Sequence, residues 1–116
     1  MFGSSDPAFR GDAKKYNPEE LLLAALSACH MLWYLHLCSA HQIVVTEYVD
    51  QPTAVLTVDG AGAGRFTEAT LQPQIRITPP EKAELAERLH EEAHQKCFIA
   101  RSINFPVKVV SAITHG

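Results

Sequence analysis

The chain has 116 residues, 47% of them hydrophobic and 20% charged, with a net charge of −3. This is one domain of ordinary globular composition, large enough for a single core. The Lys and Arg residues are scattered, which argues against nucleic acid or an anionic membrane as partner. Met1 to Pro7 lacks the apolar stretch of a signal peptide. Three cysteines without an export signal point to a reducing, cytoplasmic setting, where cysteines are more often catalytic or metal-binding than bridging.

Residues 1–16 have no period and read as an irregular lead-in to a single domain that takes up the whole chain, 1–116. Asn17-Pro18-Glu19-Glu20 then starts a helix: Asn17 caps it, Pro18 takes the first position, and Glu20 can close a capping box. The helix is expected to run to about His41. From Leu21 to Ala40 it contains no Asp, Glu, Lys or Arg. That is long enough to span a bilayer. Ser27, His30, Tyr34, His36 and Ser39 are poor lipid-facing residues, however, and no Lys or Arg follows before Arg65. A helix apolar nearly all round also serves as the buried axis of a globular fold.

Ile43 to Val49 is β-branched and aromatic, and Ala54 to Val58 follows the break at Gln51-Pro52; both read as strands. Gly60 to Gly64 is a turn between strands, without the spacing of a phosphate-binding loop. Phe66 to Thr78 alternates as one strand, with Pro73 marking a bulge or an edge. Thr78-Pro79-Pro80-Glu81 resembles a second capping box. It opens an amphipathic helix on which Leu85, Leu89, Ala93 and Cys97 form a row. Phe105 to Ile113, interrupted by Pro106, reads as the last strand. The pattern is α+β, with strands wrapped around the central helix.

Helix geometry sorts the thiols. Cys29 and Cys38 lie nine residues apart, on opposite faces and about 13.5 Å apart along the axis, so they cannot join while the helix is intact. Any internal disulfide must use Cys97. Cys29 shares its face with Leu32, Trp33 and His36, and Cys38 with Tyr34 and Leu35. On these grounds alone either thiol of the first helix is also readable as an inert core residue.

The run Asn17-Pro18-Glu19-Glu20-Leu21-Leu22-Leu23-Ala24-Ala25-Leu26-Ser27-Ala28-Cys29-His30 resembles the helix carrying the first cysteine of the OsmC and organic hydroperoxide resistance (Ohr) family. His94-Gln95-Lys96-Cys97-Phe98-Ile99-Ala100-Arg101-Ser102 resembles the segment with its second. Ala28-Cys29-His30-Met31-Leu32-Trp33 is closer to the OsmC-like branch. The resemblance implies antiparallel strands around a long central helix, an intertwined homodimer, and no cofactor. It also implies a thiol peroxidase that reduces organic hydroperoxides or hydrogen peroxide. Cys29 would attack the peroxide, Cys97 would resolve the sulfenic acid as a disulfide, and an external dithiol would restore both. Glu19 matches a glutamate that holds an arginine near the sulfur. In the family that arginine comes from strands ahead of the part matched here, and Arg10 aligns with the lead-in loop instead. A non-catalytic binding domain of the same fold is therefore the alternative. A remoter one is a zinc protein, since His90-Glu91-Glu92-Ala93-His94 matches the zinc-protease pattern.

Overall fold

The structure is a computed structural model that describes residues 17–115. Its elements are helix α1 (Pro18–Ala40), strands β1 (Val44–Asp50), β2 (Thr53–Val58), β3 (Gly64–Leu71) and β4 (Pro73–Thr78), helix α2 (Ala83–Lys96), and strands β5 (Val107–Val109) and β6 (Ala112–His115). The strands make two three-stranded sheets, ordered β1-β4-β6 and β2-β3-β5. Pairs β1–β4 and β2–β3 are antiparallel, whereas β5 and β6 each join their sheet in parallel.

The α1 start follows the sequence. The Asn17 side chain accepts a hydrogen bond from the Glu20 backbone N–H at 2.8 Å, and Pro18 costs nothing in the first turn, where its missing donor has no partner to lose. The second start does not follow it. Thr78 ends β4, a 3₁₀ turn occupies Pro80–Lys82, and no side chain caps α2. The two prolines favour the extended and turn conformations there, and these displace the expected capping box.

Two expected strands are each split. The run from Phe66 to Thr78 leaves one sheet at Gln72 and enters the other at Pro73. The run from Phe105 to Ile113 does the same between Val109 and Ala112. The crossings lie side by side, with Val110 N donating to Leu71 O at 2.8 Å. Asp50 ties the first crossing to the helix. Its carboxylate accepts the Gln72 N–H at 2.7 Å and the Ser27 hydroxyl of α1. Pro73 has no N–H to satisfy, so it fits the first position of a strand.

The helix consequently serves two cores. Leu26 packs with Ala69, Leu71 and Cys97 on the β2-β3-β5 sheet. Tyr34, Leu37 and Cys38 pack with Ile75, Ile77 and α2 residues Ala86, Leu89 and Ala93. Only one stripe of α1 is buried, at Leu26, His30, Tyr34, Leu37 and Cys38. By length and composition the helix could cross a membrane; here its polar members His30 and Tyr34 face the protein interior.

Between the two cores lies a buried polar stack. The His30 and His90 rings are parallel within 5°, and His30 Nε2 shares a proton with His90 Nδ1 at 3.0 Å. Tyr34 stacks on His90 and donates to the Ala86 carbonyl at 2.8 Å. His90, one end of the zinc-protease pattern in the sequence, is thus part of the core, 4% exposed. Burial is the main cause that holds both imidazoles neutral, His30 down to about 4 and His90 to about 3, against 6.5 for a free side chain.

The unfolded chain therefore binds protons that the folded chain refuses once the pH drops below 6.5. Stability is complete above that value and falls as pH descends toward 4, by up to about 1.4 kcal/mol per pH unit for each imidazole. Urea denaturation at pH 7, 6 and 5 should show this loss, and His90→Phe should flatten the profile. An identical slope in that variant would remove the pair as its cause.

Candidate functional site

Cys29 and Cys97 come together although 68 positions separate them in the sequence. Cys29 lies on the α1 face that packs against the second core, and Cys97 ends α2 as its C-cap. Both pack into one cluster, the Cys29 sulfur close enough to perturb the Cys97 thiol, and both are free. The two sulfurs differ in exposure. Cys29 is half-buried, whereas Cys97 is 1% exposed, beneath Leu26, Ala69 and Leu71.

Burial, the largest cause, pushes the Cys97 thiol up to about 11, and the neighbouring Cys29 sulfur adds to the rise. The Ala100 N–H, 3.5 Å from Sγ, opposes it only in part. The basic residues beside Cys97 in sequence do not lower its pKa. Lys96 pairs with Glu92 at 3.6 Å and reaches over the Trp33 ring, and Arg101 donates to the Gln95 carbonyl. At neutral pH Cys97 is a thiol.

Cys29 opens into a groove of about 360 Å³ lined by Leu32, Trp33, His36 and Phe98. Three of these walls are the helix-face neighbours that the sequence assigns to Cys29. Phe98 was missed, although its place next to Cys97 puts it beside the sulfur pair. It meets Trp33 edge to face, with ring centroids 5.9 Å apart. The groove suits an apolar molecule.

Glu19 stands ten residues before Cys29, about 15 Å away along the helix axis, and so has no direct contact with the sulfur. Its Oε2 is buried and has no hydrogen-bond partner among the described residues. Arg10 lies outside the described residues. Cys38 is in the other core, fully buried, and burial raises its pKa. His90 turns its Nδ1 to His30, and among the described residues no three His, Cys, Asp or Glu side chains converge as a metal site.

Comparison with known proteins places this arrangement in a family. A protein-family model described as OsmC-like protein matches residues 11–111. An OsmC-like protein of unknown function from Vibrio cholerae superposes with a TM-score of 0.81 at 30% identity, over 97% of this chain and 75% of that one. The organic hydroperoxide resistance protein OsmC from Legionella pneumophila gives 0.71 at 20% identity, over 96% and 78%. The organic hydroperoxide resistance protein OhrB of Bacillus subtilis gives 0.64 at 22%, over 86% and 71%. A comparison with curated proteins gave no match. With the family model spanning most of the sequence, and the two-sheet fold and its long helix shared with these structures, the chain belongs to the OsmC-like family.

Proposed function

We propose that this protein is a thiol-dependent peroxidase that reduces organic hydroperoxides through Cys29 and Cys97, in a reducing compartment such as the cytoplasm. The observation that carries the reading is the unequal sulfur pair. One half-exposed thiol faces an apolar groove, and the other, buried and protonated, packs in the same cluster beneath it. Two relatives of the same fold are named for organic hydroperoxide resistance.

The chemistry follows from that inequality. The Cys29 thiolate attacks one oxygen of the O–O bond, forming an S–O bond while the bonding pair leaves with the other oxygen. Cys97 supplies the proton that turns this leaving alkoxide into an alcohol. Its own sulfur, now a thiolate, attacks the Cys29 sulfenic acid and expels hydroxide, closing a disulfide. An external dithiol reduces the disulfide by exchange. Glu19 acts as a positioning residue: its oxygen, unpartnered among the described residues, would orient a cation toward Cys29.

We further propose a homodimer as the working unit. The Cα radius of gyration is 16.2 Å, against about 13 Å for a compact chain of this length. Edge strands β1 and β2 expose Val44, Val49, Val55 and Val58. A second copy is the cover that such surfaces call for. Sedimentation at micromolar concentration should give twice the chain mass; a monodisperse monomer would refute the dimer.

The thiol roles are tested by asymmetry. Cys29→Ser should lose all reaction with cumene hydroperoxide. Cys97→Ser should react once and stop as a sulfenic acid on Cys29, which over-oxidises with excess peroxide. Cys38→Ala should keep most turnover. Intact-mass spectrometry after one equivalent of peroxide reads all three. An oxygen adduct on Cys97 in Cys29→Ser, with none on Cys29 in Cys97→Ser, would reverse the roles. Absence of any oxidation in the parent protein would favour a non-catalytic member of the family.

A further inference from the structure

Two free thiols packed into one cluster form a chelating unit whether or not they turn over peroxide. The ligand that fits them is set by what surrounds them. Among the described residues no third His, Cys, Asp or Glu side chain converges on the pair. A four-coordinate zinc ion would therefore lack protein donors. A trivalent arsenic atom that already carries one carbon substituent needs only two more bonds. We propose that Cys29 and Cys97 bind trivalent organoarsenicals as a cyclic dithiolate, with the organic substituent lying in the groove between Leu32, Trp33 and Phe98.

The reaction balances without an oxidant or a reductant. An arsenic(III) oxide, RAs=O, meets two thiols. Two As–S bonds form, and the two S–H protons leave with the oxide oxygen as one water. Arsenic stays trivalent and neither sulfur is oxidised. The structure sets the order of attack. Cys29 opens on the groove and bonds first, and Cys97, 1% exposed beneath it, closes the ring from the protein side. The groove then selects among arsenicals. Trp33 and Phe98 present aromatic surface at an edge-to-face angle of 84°, which an aryl substituent can join. Inorganic arsenite carries no such substituent and gains nothing from it. Cys38, in the other core, takes no part. The proposal rests on the placement of the two thiols and not on peroxidase turnover.

The test uses the reduced protein and phenylarsine oxide. Intact mass should show one phenylarsenic per chain, with two free thiols lost. Peptide mapping should place the adduct across Cys29 and Cys97, while Cys38 remains open to alkylation after denaturation. Cys38→Ala should bind as the parent does, and Cys29→Ser or Cys97→Ser should weaken binding at least a hundredfold, about 2.7 kcal/mol. Phe98 is 68% exposed, so Phe98→Ala should fold normally. That variant should lose roughly tenfold in affinity for phenylarsine oxide and nothing for arsenite. The proposal is overturned by no adduct on the reduced parent, by an adduct that includes Cys38, or by undiminished binding in Cys97→Ser. The parent measurement stands even if a serine variant misfolds. Arsenic bound without peroxide turnover would sink only the peroxidase reading, and turnover without arsenic bound would sink only this one.

Discussion

A long helix, charged only in its first turn, whose one buried stripe must be covered along its whole length is the constraint on which this fold depends. α1 spans 23 residues and has charged side chains only in its first turn. No single sheet covers such a cylinder, and the chain answers with two. Each of its later extended runs passes from one sheet to the other, so both sheets are laid against the same helix. The helix buries Leu26 in one core and Tyr34, Leu37 and Cys38 in the other. Asp50 fixes the geometry where the first run crosses, because one carboxylate accepts both from α1 and from Gln72. What the two sheets leave bare on α1 and on the edge strands is the surface that a second copy would cover.

The same arrangement makes the two sulfurs unequal. α2 runs along the first core and ends at the second, so its C-cap cysteine is delivered under the sheet to the side of Cys29. Burial there keeps Cys97 protonated. The difference between a half-exposed thiol and a buried donor comes from packing, not from a local charge, since Lys96 and Arg101 spend their charge on Glu92, Trp33 and a backbone carbonyl. In the proposed peroxidase cycle this inequality would give a direction, with entry on the groove side and resolution from the protein side.

Much of this was legible in the sequence, for reasons that can be named. The α1 start is written in local chemistry, in Asn17 and Pro18, and local chemistry survives folding. The row ending in Cys97 follows the helical period, and the groove walls Leu32, Trp33 and His36 follow from the same geometry on α1. The partnership of Cys29 with Cys97 came from family resemblance and from excluding Cys38, not from any pattern between the two positions. The strand splits at Gln72 and Val110 were not legible. A crossing between sheets leaves the alternation nearly intact, and Pro73 signals only an interruption. The His30–His90 stack was hidden as well. Histidines on an α-helix look alike whether they face solvent or each other, and only the approach of α1 to α2 decides. The expected capping box at Thr78 failed because the two prolines that follow favour a turn over a direct helix start.

In the proposed cycle, Cys97 resolves Cys29 because the fold packs the two side by side. Disulfide mapping of the parent protein, after one equivalent of cumene hydroperoxide and alkylation of the remaining thiols, tests it most directly. The account predicts a single cross-linked peptide pair, Cys29 with Cys97, and a fully alkylated Cys38. A disulfide involving Cys38, or an oxidised Cys29 that stays a sulfenic acid while Cys97 remains free, would contradict it.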